Sequence, residues 1–198
     1  MLKLNIKNET SRLQAVVLGT ANSNGPTPTI NEAYDPKSLE HILAGTYPKE
    51  ADMILEMEAF NQVFEKYGVT VFRPEIIVNY NQIFVRDIGF VIDDVFIKSN
   101  ILPDREREVE AIQYVIDQIE PSKVATPPEE VHIEGGDVML WNDYIFIGTY
   151  KGSDYKDYIT ARTNTEGVQY IKDLFPNKKV KEFDLIKSKI EARDNALH

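Results

Sequence analysis

One pattern occurs twice in this chain and constrains its fold more than anything else: an acidic motif, a short apolar strand, a two-residue polar turn, a second apolar strand and a helix. The first copy runs Phe84-Val85-Arg86-Asp87, Phe90-Val91-Ile92, Asp93-Asp94 and Val95-Phe96-Ile97. The second runs Ile133-Glu134-Gly135-Gly136-Asp137, Val138-Met139-Leu140-Trp141, Asn142-Asp143 and Tyr144-Ile145-Phe146-Ile147. The two turns lie 49 positions apart. Asp and Asn tolerate the left-handed backbone of a tight hairpin, so each copy reads as a hairpin feeding a helix. The first helix is expected from about Asp104 to Ile119, with Val109, Ile112, Val115, Ile116 and Ile119 on one face and Pro121 beyond it. The second reaches Phe175 before Pro176. Hairpins alternating with helices predict an α+β chain whose repeated units pack on one another.

Upstream, Leu13 to Gly19 reads as a buried first strand closed by glycine. A loop rich in Asn, Pro, Thr and Gly then runs from Thr20 to about Tyr47, long enough to cover a site or to make a surface excursion. Met53, Leu55, Met57, Phe60, Val63 and Phe64 give Glu50–Tyr67 helical spacing, with Gly68 at its C-cap. Val69 to Phe72 makes a strand that Arg73-Pro74 ends.

With 198 residues and 42% hydrophobic content, the chain can build one or two packed cores. It has no cysteine, which excludes disulfides, cysteine metal sites and a cysteine nucleophile within these residues. A net charge of −10, with Lys and Arg interleaved among acids, disfavours nucleic acid. Cationic small molecules fit that charge better, although surplus acids also serve solubility. No apolar run approaches the ~20 residues that span a bilayer, and the N-terminus lacks the regions of a signal peptide. The expectation is a soluble protein of the cytoplasm with no membrane partner.

Two carboxylates on corresponding rims of repeated units can converge on one planar cation, and a guanidinium gives a carboxylate two parallel N–H bonds. Asp87 and Glu134 are the candidates. Two glycines between Glu134 and Asp137 let the backbone bend sharply and approach a ligand. The competing readings are that Asp87 pairs with Arg86 or caps a turn, and that Glu134 is a solvated strand end. A different class of function also fits: His132, Glu134 and Asp137 could ligate Mn, Fe or Zn from one loop, since strand alternation would put His132 and Glu134 on one face.

Taken in order, Asn81-Gln82-Ile83-Phe84-Val85-Arg86-Asp87, Ile133-Glu134-Gly135-Gly136-Asp137, Arg162-Thr163-Asn164 and Ala196-Leu197-His198 resemble the motifs of the amidinotransferase, arginine deiminase and dimethylargininase superfamily, guanidine-modifying enzymes of pentein fold. The resemblance runs from about Leu13 to the last residue. It implies an α/β propeller of pseudo-fivefold symmetry built from ββαβ modules, with about three of the five blades in residues 1–198 as one partial domain. Asp87 matches the residue that holds the substrate guanidinium. Glu134 matches the residue that also contacts it and orients the catalytic histidine, and His198 matches that general acid/base. Asn81, Arg105 and Arg162 resemble binders of the substrate carboxylate, and Asp137 falls in the same substrate-binding motif. The alternatives for Asn81, Arg105 and Arg162 are, in that order, a turn residue, a solvated first-turn residue and a partner to a nearby acid.

The implied reaction acts on a C–N bond of an arginine-like guanidine without a cofactor or metal. A thiolate attacks the guanidinium carbon, and the histidine protonates the departing amine before activating water or an acceptor amine. No residue here replaces that thiolate, so these 198 residues alone are expected to be inactive and to form part of a longer enzyme. The other implied possibility is a guanidine-binding or interaction domain without chemistry. Strand edges and apolar sides left uncovered would favour self-association into a homo-oligomer.

Overall fold

The computed structural model describes residues 1–33, 36–101, 105–149, 151 and 163–185. β1 (Ala15–Val17) is followed by α1 (Pro36–Ala44) and α2 (Glu50–Lys66), and β2 (Thr70–Phe72) returns parallel to β1 with Val16 opposite Val71. The first strand is shorter and less buried than expected: Ala15–Val17 are exposed to half-buried, and full burial begins only beyond its end, at Leu18 to Ala21. The expected loop after it contains α1. Composition hid that helix, since proline is well tolerated at a first helical position and reads as a loop residue only by habit.

The two repeated units follow. α3 (Val85–Ile88) is a single helical turn leading into β3 (Gly89–Ile92), which pairs antiparallel with β4 (Val95–Lys98), Ile92 lying opposite Val95. α4 (Glu106–Glu110) and α5 (Gln113–Ile116) then carry the chain to β5 (Val124–Ala125), parallel to β4. The second unit has β6 (Val138–Trp141) antiparallel to β7 (Tyr144–Thr149), then α6 (Thr165–Leu174) and β8 (Lys179–Asp184), parallel to β7. Among the described residues the strands make three separate small sheets, and the orders β3-β4-β5 and β6-β7-β8 are the same design. Asp93 and Asn142, the first residue of each turn, have φ of 52° and 53°, the left-handed backbone the turn residues were expected to supply.

The helix expected over 104–119 is broken. Ile112 N–H bonds to the carbonyl of Val109 and Val115 N–H to that of Ile112, so the ladder tightens to three-residue spacing between α4 and α5. Its apolar face survives the break, with Val109, Ile112, Val115, Ile116 and Ile119 all buried.

The two units share packing. Phe90, Ile92 and Ile97 of the first lie in one cluster with Ile133, Val138, Leu140, Ile145, Ile147, Val168, Ile171 and Phe175 of the second. A second cluster joins Ile88, Phe96, Ile101 and the α4–α5 face to Val17 of β1. The N-terminal segment straps both turns, Ile6 bridging Asp93 and Asn8 bridging Trp141. Ile97 is fully buried at this junction. Ile97→Ala is therefore expected to lower stability by about 2–5 kcal/mol, read as a lower urea midpoint at unchanged slope. Loss confined to one unit, with two separated transitions, would contradict a shared core.

α2 has the expected span but an open face: Leu55, Phe60 and Val63 are 68%, 49% and 47% exposed. Among the described residues no helix is long and apolar enough to cross a membrane.

Candidate functional site

Both acidic motifs sit at the entrance of a hairpin, and the fold brings them together. α3 packs against the 3-10 turn Gly135–Asp137. Arg86 makes that contact. Its Nε donates to the carbonyl of Gly135 at 2.9 Å, and its Nη2 donates to the carbonyl of Val138 at 2.6 Å and to Glu9 Oε1 at 3.1 Å. Arg86 thus ties the second unit and the N-terminal segment to the first, and Asp87 is left to face the other way.

Asp87 is buried, and its Oδ2 accepts a hydrogen bond from Arg105 Nη1 at 2.8 Å. The same nitrogen lies 3.9 Å from Glu134 Oε1, in a residue with no exposed surface. Arg105 is held at its other edge by Glu108. Nε donates to Oε1 at 2.7 Å and Nη2 to Oε2 at 3.0 Å, a fork-to-fork pair, while Nη2 also reaches the carbonyl of Phe84 at 3.1 Å. Asp87, Glu108 and Glu134 therefore surround one planar cation supplied by the chain itself.

The electrostatics follow from burial. Removal from water pushes the Glu108 carboxyl above its usual range, with Arg105 pulling the other way. Burial also works against the charge on Arg105, but hydrogen bonds and attraction from Glu108 and then Asp87 outweigh it and hold the guanidinium above its ordinary value.

Glu134 is placed by the start of α6. Its backbone N–H donates to Thr163 Oγ1 at 3.3 Å, and the Thr163 hydroxyl donates to Asp137 Oδ2. Asn164 caps α6, its Oδ1 accepting from Gly167 N–H at 2.8 Å and from His132 N–H at 3.1 Å, while its Nδ2 donates to the carbonyl of Glu130. Thr163 and Asn164 thus anchor the Glu134 loop. Thr163→Val is expected to destabilise the fold by about 2 kcal/mol, whereas Thr163→Ser keeps the hydroxyl and most of the stability. Equal urea midpoints for the two variants would contradict this role.

The fold brings Asp87, Arg105 and Glu134 together and ties Asp137, through Thr163, to the backbone of Glu134. Asn81 makes a turn contact, its Oδ1 accepting from Ile83 N–H at 3.1 Å. Arg162 and His198 lie outside the described residues. Three readings are corrected. Asp87 pairs with Arg105 instead of Arg86, and Glu134 is buried instead of being a solvated strand end. The metal loop does not form: residues 132–134 contribute only an isolated bridge at Ile133, His132 is exposed where Glu134 is buried, and among the described residues no three such ligands gather. Glu108 was missed because Arg105-Glu106-Arg107-Glu108 reads as a solvated charge run. Its signal was position, next to Val109 and one turn before Ile112 on the apolar face.

No protein-family model and no curated protein matches the sequence. Solved structures do match. An amidinotransferase of the saxitoxin biosynthetic pathway from Microseira wollei aligns over 98% of this chain and 64% of its own, at 16% identity and a TM-score of 0.68. The inosamine-phosphate amidinotransferase of Streptomyces griseus aligns over 95% and 64%, at 15% identity and 0.65. DDAH from Pseudomonas aeruginosa, a cysteine-to-serine mutant complexed with citrulline, aligns over 89% and 62%, at 17% identity and 0.62. The chain spans less than two thirds of these neighbours, and the likeness is one of fold.

Proposed function

From a chain with the pentein-type fold of guanidine-modifying enzymes, we propose that residues 1–198 form the substrate-holding part of such an enzyme. The observation that carries this reading is the position of Arg105 Nη1, 2.8 Å from Asp87 and 3.9 Å from Glu134. Two carboxylates from two repeated units already meet at one guanidinium nitrogen, so the pair has the spacing and charge to receive another.

In this reading Asp87 and Glu134 hold the guanidinium of an arginine-like substrate and Glu134 orients His198. Asn81, Arg105, Arg162 and Asp137 complete the substrate contacts. In the same reading the nucleophilic cysteine comes from outside these residues, which contain none. Its thiolate adds to the guanidinium carbon, the C–N bond breaks, and His198 gives its proton to the departing amine. Water then yields a ureido product, or an acceptor amine takes the amidino group. Each ββαβ unit becomes one blade of a pseudo-fivefold propeller, about three of the five being present, a share in line with the neighbours' greater length.

The test is turnover by the protein expressed from its whole reading frame, offered arginine, agmatine and dimethylarginine. Consumption of one of them is expected, with Glu134→Gln lowering kcat by on the order of 10³-fold. Tight guanidine binding without any product would instead favour a non-catalytic binding domain.

A further inference from the structure

We propose that Arg105 is an internal competitor for the guanidinium site, occupying Asp87 in the free protein and swinging away from it, still held by Glu108, when a substrate guanidinium enters. The proposal rests on the reading that Asp87 receives the substrate. It goes further by making Arg105 and Glu108 determine which guanidines the site accepts.

The argument starts from what Arg105 would lose. Its bond to Asp87 is a single contact through Nη1, whereas Glu108 holds Nε and Nη2 together and the carbonyl of Phe84 adds a second acceptor to Nη2. Release of Nη1 leaves the rest of the fork in place. The guanidinium needs only to pivot about an anchored edge, and it stays charged and paired throughout. Glu108 is buried and hydrogen-bonded to no other residue among the described contacts, so its geometry serves this anchor. With Nη1 on Oδ2, an incoming guanidinium cannot take both Asp87 oxygens in a two-point pair, and it meets the charge of Arg105 beside it, so a full pair requires Nη1 to leave. A bare guanidinium gains from Asp87 what Arg105 gives up, and it binds weakly. A substrate with further polar groups can recover the difference elsewhere, so the device selects against small guanidines.

Occupation by Arg105 reduces apparent affinity by the fraction of molecules in which the site is free. Arg105→Met should therefore raise the affinity of the chain for methylguanidine by at least about 10-fold in calorimetric titration. Because this variant leaves Glu108 buried beside a neutral neighbour and could unfold, the parent chain is tested in parallel. Nitrogen-15 arginine spectra should show the Arg105 guanidinium signals shifting as methylguanidine is added, with the Nε–H signal persisting because the Glu108 bond survives. Methylguanidine that binds the parent, is unaffected in Arg105→Met, and leaves the Arg105 signals unmoved would overturn the competitor while leaving the site reading intact. Binding to neither parent nor a folded Arg105→Met chain would overturn both.

Discussion

An Asp87→Asn chain is expected to bind guanidines on the order of 10²-fold more weakly than the parent. A carboxylate removed from water and meeting a guanidinium makes charge-assisted hydrogen bonds, and loss of one such buried charge typically costs about 2–5 kcal/mol of binding. At about 1.4 kcal/mol per tenfold, the lower end of that range already gives more than an order of magnitude. Asparagine keeps the shape and one acceptor oxygen, so Arg105 Nη1 retains a partner and the turn of α3 stays in place. Asp94→Asn is the matched control. Asp94 is exposed in the first hairpin turn and pairs with Lys123 at 2.6 Å, a contact of little energetic weight. Equal loss in the two variants would point to general charge attraction instead of a defined site.

Gly135→Ala is expected to have the largest effect on folding. A Cβ built on Gly135 would stand 2.2 Å from the carbonyl oxygen of Arg86 and 3.0 Å from the Phe90 ring. The first obstacle is backbone that cannot rotate aside, so the turn carrying Glu134 must withdraw from α3. That movement stretches the bond from Arg86 Nε to the Gly135 carbonyl and separates the two motifs. A loss of about 3 kcal/mol or more follows. Gly45→Ala offers the comparison: nothing surrounds a Cβ there, and its φ of +66° leaves only a backbone cost of about 1 kcal/mol. Thermal unfolding that ranked Gly45→Ala as the worse variant would contradict the close approach of the two motifs.

The hairpins were legible in the sequence because their signals are local. Short apolar runs on either side of Asp93-Asp94 and Asn142-Asp143 specify strand, turn and strand within ten residues, and the observed registers follow. The break between α4 and α5 was not legible, since the apolar face continues through it and only the hydrogen-bond spacing changes. α1 was hidden by its composition. The open face of α2 was invisible for another reason: helical spacing states which side chains share a face and says nothing about what covers it.

The site divided in the same way. Asp87 and Glu134 were recognisable as paired carboxylates because each opens a copy of one pattern. The cation between them was not, because Arg105 joins Asp87 across 18 positions through a backbone path that local periodicity does not encode. Arg86 shows the converse. It stands next to Asp87 in the chain, yet it points into the second unit, since successive residues of a helical turn face different directions. Thr163 and Asn164 resembled part of a functional motif, and in the described residues they act through structure, fixing the loop that carries Glu134.

The central claim is that Asp87 and Glu134 together receive a substrate guanidinium. The most direct measurement is a crystal structure of the chain soaked with methylguanidine. The account predicts a planar ligand hydrogen-bonded to Asp87 and adjacent to Glu134, with Arg105 Nη1 released from Asp87 and its pair with Glu108 kept. Methylguanidine bound at another place, with the Asp87–Arg105 contact unchanged, would contradict it.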